Sequence, residues 1–185
     1  MKRSDIPNLI TFGRILLVAP TAWALLQRHY PLALVLFFVA GLSDGIDGFL
    51  AKHYGWTSRL GALLDPVADK ALLVSCYATL AWTGLLPLWL LILVVVRDVV
   101  IVAGAALYNY RIRRLEAEPT LISKLNTLLQ ISLVLLVIVQ QIWPRLPPAA
   151  LSGLVWAVSV TVVWSGIDYV VTWSRRARRE QQGPS

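Results

Sequence analysis

Four aspartates and two glycines recur at fixed offsets in one stretch of the chain: Asp44-x-x-Asp47-Gly48-x-x-Ala51-Lys52-x8-Gly61-x3-Asp65-x3-Asp69. A carboxylate in such apolar sequence costs several kcal/mol unless it is partnered or hydrated. Four together require compensation, and divalent cations supply it directly. Mg²⁺ or Mn²⁺ suits an all-oxygen donor set, and no Cys or His cluster favours zinc. Asp44 and Asp47 are three residues apart, Asp65 and Asp69 four apart, so each pair shares one helix face. Gly48 and Gly61 clear side chains from the same face, as a bulky ligand approaching closely would need. The competing reading is structural, with the acids salt-bridged to Lys52, Arg59 or Lys70.

The elements that must position these acids follow from the apolar pattern. Apolar residues make up 57% of the chain and charged residues 15%, and the mean hydropathy of +0.67 excludes an ordinary soluble domain. Six apolar runs of roughly 20 residues, at 8–26, 30–53, 60–85, 89–108, 120–143 and 148–173, match the length a helix needs to cross about 30 Å of hydrocarbon. Backbone groups in lipid must bond internally, so the expected fold is all-α, a polytopic membrane protein of six transmembrane helices. One membrane domain is expected over 1–179, followed by a disordered tail at 180–185. The first run resembles a leader followed by Ala22-Trp23-Ala24, but Arg14 interrupts it, and it is read as a retained helix.

Topology explains the charge. With a cytoplasmic N-terminus, Lys2, Arg3, Lys52, Arg59, the Arg111–Arg114 cluster and the Arg175–Arg179 cluster fall inside, and only Arg28 and Arg145 fall outside. Both termini therefore face the cytoplasm, and the acids lie at the cytoplasmic edge of the hairpin between the second and third runs. The net charge of +7 reflects this bias and attraction to anionic headgroups, not nucleic acid. Single Cys76 gives neither a disulfide nor a metal cluster and is read as a packing residue.

The aspartate frame resembles the signature of the CDP-alcohol phosphatidyltransferase family, with Lys52 standing where the family usually has Arg. That resemblance implies a six-helix enzyme in which Asp44, Asp47, Asp65 and Asp69 bind two divalent cations, Mg²⁺ or Mn²⁺. It implies that Asp44, Gly48, Ala51, Lys52 and Gly61 line the site for a CDP-linked lipid, usually CDP-diacylglycerol. Asp69 is implied as the catalytic base for an acceptor alcohol, with CMP leaving. A homodimer in a bacterial inner membrane is expected on the same ground. Lys52 keeps the positive charge but loses the planar fork of Arg, so weaker nucleotide binding is expected.

Arg97-Asp98 and the stretch Pro119-Thr-Leu-Ile-Ser-Lys124-Leu-Asn126-Thr127 resemble segments of eukaryotic-type cardiolipin synthases. Phosphatidylglycerophosphate synthases of the same family typically carry a second Lys where Asn126 stands. Glycerol 3-phosphate, with nearly two charges, calls for a further cation. Phosphatidylglycerol, a singly charged diester, fits Arg97, Lys124 and the neutral Asn126 as acceptor ligands. Phosphatidylglycerol is therefore the favoured acceptor, giving cardiolipin, and glycerol 3-phosphate the alternative. Arg97 and Asp98 also admit a purely structural pairing, although helix neighbours point about 100° apart. Arg14 is read as approaching either the acids or the headgroups, and Asp168 as structural, hydrogen-bonded by Ser165. A cation transporter is the distant alternative, but the acids sit at one level and no inverted repeat is visible.

Overall fold

A computed structural model describes the backbone of residues 5–54, 59–111, 120–145 and 147–181. It describes the side chains of 10–46, 64, 66–104, 120–145, 147 and 149–172. The described residues form six helices and no strands: α1 (Asp5–Leu26), α2 (Tyr30–Tyr54), α3 (Arg59–Trp82), α4 (Leu88–Arg111), α5 (Leu121–Ile142) and α6 (Pro148–Gln181). Each of the six apolar runs is a helix. By packing the chain divides into two units, residues 1–87 with 134–146 and residues 88–133 with 147–185.

In the first unit α1 packs against both α2 and α3. The buried faces follow the alternating three- and four-residue spacing of a helix stripe. On α1 the stripe is Thr11, Arg14, Thr21 and Leu25; on α2 it is Ala33, Phe37 and Ala40; on α3 it is Leu73, Cys76 and Leu80. Ala24, Ala33, Ala40 and Ala68 are wholly buried, and such small residues let helix backbones approach closely. Two hydroxyls of this unit are satisfied within their own helices. Thr21 donates to the Leu17 carbonyl at 2.7 Å and Thr79 to that of Ser75 at 2.7 Å, so they add no polar cost.

Two helix ends in this unit carry the same cap. After α1, Arg28 N–H bonds the Leu25 carbonyl and His29 N–H the Ala24 carbonyl. After α3, Gly84 N–H bonds Ala81 and Leu85 N–H bonds Leu80. Both are left-handed C-caps, with φ of 59° at Arg28 and 76° at Gly84. This cap ends α3 at Trp82, three residues short of the apolar run. Glycine adopts that φ freely; arginine does not.

In the second unit α4 packs on α6. Leu90, Val94 and Arg97 face inward from α4, and Val158, Val162, Ser165 and Tyr169 from α6. Thr120 precedes α5 and its Oγ1 accepts from Ser123 N–H at 3.3 Å, an N-cap that starts the helix at Leu121. α6 runs to Gln181, beyond the apolar run, because the arginines, Ala177 and Glu180 that follow are good helix formers. The expected tail thus begins in helix, and residues 182–185 lie outside the described residues.

Among the described residues, two stretches are long and apolar enough to cross a membrane by length and composition, Leu121–Ile142 and Ala149–Thr172. Ile10–Leu26 and Tyr30–Ile46 are shorter apolar helices.

Candidate active site

The first unit brings three charged side chains from three helices to one point. Asp44 extends the α2 stripe of Ala33, Phe37 and Ala40 by one further turn, and Asp69 stands one turn before Leu73 on the α3 stripe. Both therefore project toward α1, where Arg14 occupies the inward face. Arg14 Nη1 lies 2.8 Å from Asp44 Oδ1 and donates to Asp69 Oδ1 at 2.5 Å. The guanidinium is 1% exposed, whereas the carboxylates are 47% and 48% exposed. A cation is thus held inside the packed helices with two acids at its outer edge.

Of the two readings open for Arg14, the structure selects the acids. It also supplies a cation the structural alternative did not name: Arg14 pairs with both Asp44 and Asp69, while the side chains of Lys52 and Arg59 lie outside the described residues. Lys70 is half-buried and makes an interaction of its own. The pairing of Arg14 with Asp69 spans 55 residues of sequence, and only the breach that Arg14 makes in an apolar run signalled it.

Asp47, Gly48, Ala51, Lys52, Gly61 and Asp65 lie outside the described side chains, although α2 and α3 carry them. Among the described residues no three His, Cys, Asp or Glu side chains gather as a metal cluster.

The second unit holds a separate polar cluster. Arg97, 6% exposed, donates from Nη1 to Asp98 Oδ1 at 2.8 Å and from Nη2 to Ser123 Oγ at 2.8 Å and Ser165 Oγ at 2.5 Å. Its guanidinium carbon stands 5.9 Å from the centre of the Tyr169 ring, within cation–π range. One turn along α5 from Ser123, Asn126 is fully buried, and its Oδ1 accepts from Thr161 Oγ1 at 3.1 Å. Ser123 and Asn126 on α5 therefore face Ser165 and Thr161 on α6, with Arg97 of α4 reaching both serines.

This arrangement departs from the sequence reading in three ways. Arg97 and Asp98 do pair, although they are helix neighbours, because the long arginine side chain curls back to the adjacent carboxylate. Ser165 serves Arg97, and Asp168 makes no hydrogen bond or ion pair among the described residues. Lys124 is exposed, whereas Arg97 and Asn126 are buried. Two buried donors of the cluster, Arg97 Nε and Asn126 Nδ2, have no acceptor among the described residues. Such groups cost free energy unless an oxygen from water or substrate satisfies them.

The chain belongs to the CDP-alcohol phosphatidyltransferase family, whose model matches residues 4–167. It is similar to a probable cardiolipin synthase (CMP-forming) of Drosophila melanogaster, 33% identical over 90% of this chain and 56% of that protein. A cardiolipin synthase (CMP-forming) of Rattus norvegicus is 36% identical over 70% of this chain and 48% of its own length. A probable phosphatidylglycerophosphate synthase of Mycobacterium tuberculosis is 32% identical over 90% of this chain and 80% of that protein. The chain spans about half the length of the two cardiolipin synthases.

The family is generally dependent on divalent cations. The described acids fit such ions: Asp44 and Asp69 are hard oxygen donors, and each directs Oδ1 to the same cationic nitrogen. Two carboxylates from different helices that converge on one positive centre have the charge and geometry a cation site starts from.

Proposed function

We propose that the chain transfers a phosphatidyl group from CDP-diacylglycerol to an acceptor alcohol, releasing CMP. The favoured acceptor is phosphatidylglycerol and the product cardiolipin. The convergence of Asp44 and Asp69 at Arg14 carries this reading. Asp44, Asp47, Asp65 and Asp69 would hold two Mg²⁺ or Mn²⁺ ions. Bound there, such ions would supply Lewis-acid polarisation of the phosphoryl oxygen and charge to offset that of the leaving CMP.

The remaining roles fall to the chain itself. Asp69 takes the proton from the acceptor hydroxyl as that oxygen bonds to the phosphorus bearing diacylglycerol, and the bond from this phosphorus to CMP breaks. Gly48, Ala51, Lys52 and Gly61, with Asp44, line the nucleotide site. Arg97 and Asn126 bind the acceptor phosphate, and their unsatisfied donors support that role; Lys124 contributes charge from the exposed side of α5. The relatives named for phosphatidylglycerophosphate synthesis favour glycerol 3-phosphate as the second reading.

The domain spans residues 1–179 and crosses a bacterial inner membrane six times, with both termini and the acids on the cytoplasmic side, as a homodimer. Every helix exposes large apolar side chains (Leu16, Val35, Val67, Val99, Leu128 and Val163, from α1 to α6), which supports lipid contact for all six. The test is CMP release from CDP-diacylglycerol by purified protein in detergent with phosphatidylglycerol. Release that requires Mg²⁺ or Mn²⁺ and stops with chelator is expected. No release across a panel of acceptor alcohols would contradict the proposal.

A further inference from the structure

Asp44 and Asp69 present an unequal pairing: a buried cation and two open anions. The acids are about half exposed while Arg14 is 1% exposed, so solvent and solutes reach the carboxylates without moving the arginine. To leave, the guanidinium would have to drag a long side chain out of the packed faces of α1, α2 and α3. Both acids also use Oδ1 on one nitrogen, Nη1, which fixes the rotation of two carboxylates carried by different helices. Partners that orient a ligand from behind change metal affinity by about 10–100-fold when removed.

We infer that Arg14 is a positioning residue of the cation site: it anchors Asp44 and Asp69 from within the bundle, and it stays in place when a divalent cation binds. The inference rests on the reading that these two acids hold the cation. It opposes the alternative that Arg14 merely fills the cation's place and is expelled by it. The two differ in sign. An anchor, once removed, leaves the carboxylates free to rotate and repel, and binding weakens; a competitor, once removed, makes binding tighter. Because one nitrogen, Nη1, reaches both acids, the point charge of a lysine can stand in for it better than it could for a bidentate fork.

The experiment is Mn²⁺ binding to purified protein in detergent, read by the loss of the free-ion electron paramagnetic resonance signal, with no substrate present. Arg14→Gln is expected to weaken binding about tenfold or more, and Arg14→Lys to hold it within about threefold. Unchanged or tighter binding by folded Arg14→Gln overturns the inference while leaving the cation reading intact. No Mn²⁺ binding by the wild-type protein overturns both. Should Arg14→Gln fail to fold, wild-type protein labelled with ¹⁵N-arginine gives a second readout. A nuclear coupling between bound Mn²⁺ and an arginine nitrogen, lost in Arg14→Lys, supports the anchor; its absence in wild type overturns it.

Discussion

Arg14 donates to Asp69 at 2.5 Å across 55 residues of sequence, and the same nitrogen reaches Asp44 at 2.8 Å. The acid read as the catalytic base is therefore held by a cation from the first helix. Asp69→Asn keeps an oxygen acceptor for Arg14, and Asp44 keeps its charge partnered. CMP release should fall about 10²–10⁴-fold while thermal unfolding shows a loss of about 1 kcal/mol or less, since the acid is half exposed and the pair is screened. Full activity in that variant would remove Asp69 from the chemistry.

Arg97 and Asp98 are both largely buried, so removing one breaks a buried ion pair. Arg97→Ala should cost about 3–5 kcal/mol, whereas Arg97→Met combined with Asp98→Leu should cost far less. Thermal unfolding in detergent measures this difference. Both proteins should be defective in transfer to phosphatidylglycerol; a double variant that is stable and fully active would show that the pair is structural alone.

By the resemblance to phosphatidylglycerophosphate synthases, Asn126 stands where a second Lys would serve glycerol 3-phosphate. Asn126→Lys should shift the ratio of rates toward glycerol 3-phosphate over phosphatidylglycerol, by about tenfold if one charge-assisted bond worth at least 1.5 kcal/mol is gained. Competition between the two acceptors in one reaction reads the ratio directly. An unchanged ratio in a folded variant would take Asn126 out of acceptor selection.

Arg28 holds φ at 59° in the cap that closes α1. Arg28→Gly should stabilise the protein by up to about 1 kcal/mol, as relief of left-handed strain exceeds the added freedom of the unfolded chain. The unfolding midpoint would rise slightly. A fall would mean that the arginine side chain holds the turn by contacts stronger than the strain.

The helices were legible because each coincides with a long, predominantly apolar run, and their ends were legible only where a residue announces them. Gly84 sits at the cap that stops α3, yet the leucines beyond it prolong the apolar signal. The arginines after Trp173 end the apolar run of α6 but not its helix, because hydropathy and helix propensity are different properties. Asp44 and Asp69 stood out by type and spacing, whereas Arg14 stood out only by breaking an apolar run, with the acids and the headgroups both open to it: helix periodicity relates neighbours three or four apart, and Arg14 lies on another helix. Arg97 and Asp98 show the converse limit, since adjacency on a helix separates Cβ directions but not the tips of long side chains. Ser123, Ser165 and Thr161 gave no signal of their own. Hydroxyls are common on membrane helices, and only the packing of α4, α5 and α6 side chains shows which ones face an arginine.

The reaction proposed is phosphatidyl transfer from CDP-diacylglycerol to phosphatidylglycerol. It is tested most directly by supplying isotopically labelled phosphatidylglycerol and unlabelled CDP-diacylglycerol to the purified protein with Mg²⁺ or Mn²⁺, and weighing the lipid product by mass spectrometry. The expected product is cardiolipin that carries the label, formed in step with CMP. CMP release without labelled cardiolipin, accompanied by phosphatidylglycerophosphate when glycerol 3-phosphate is supplied, would contradict it.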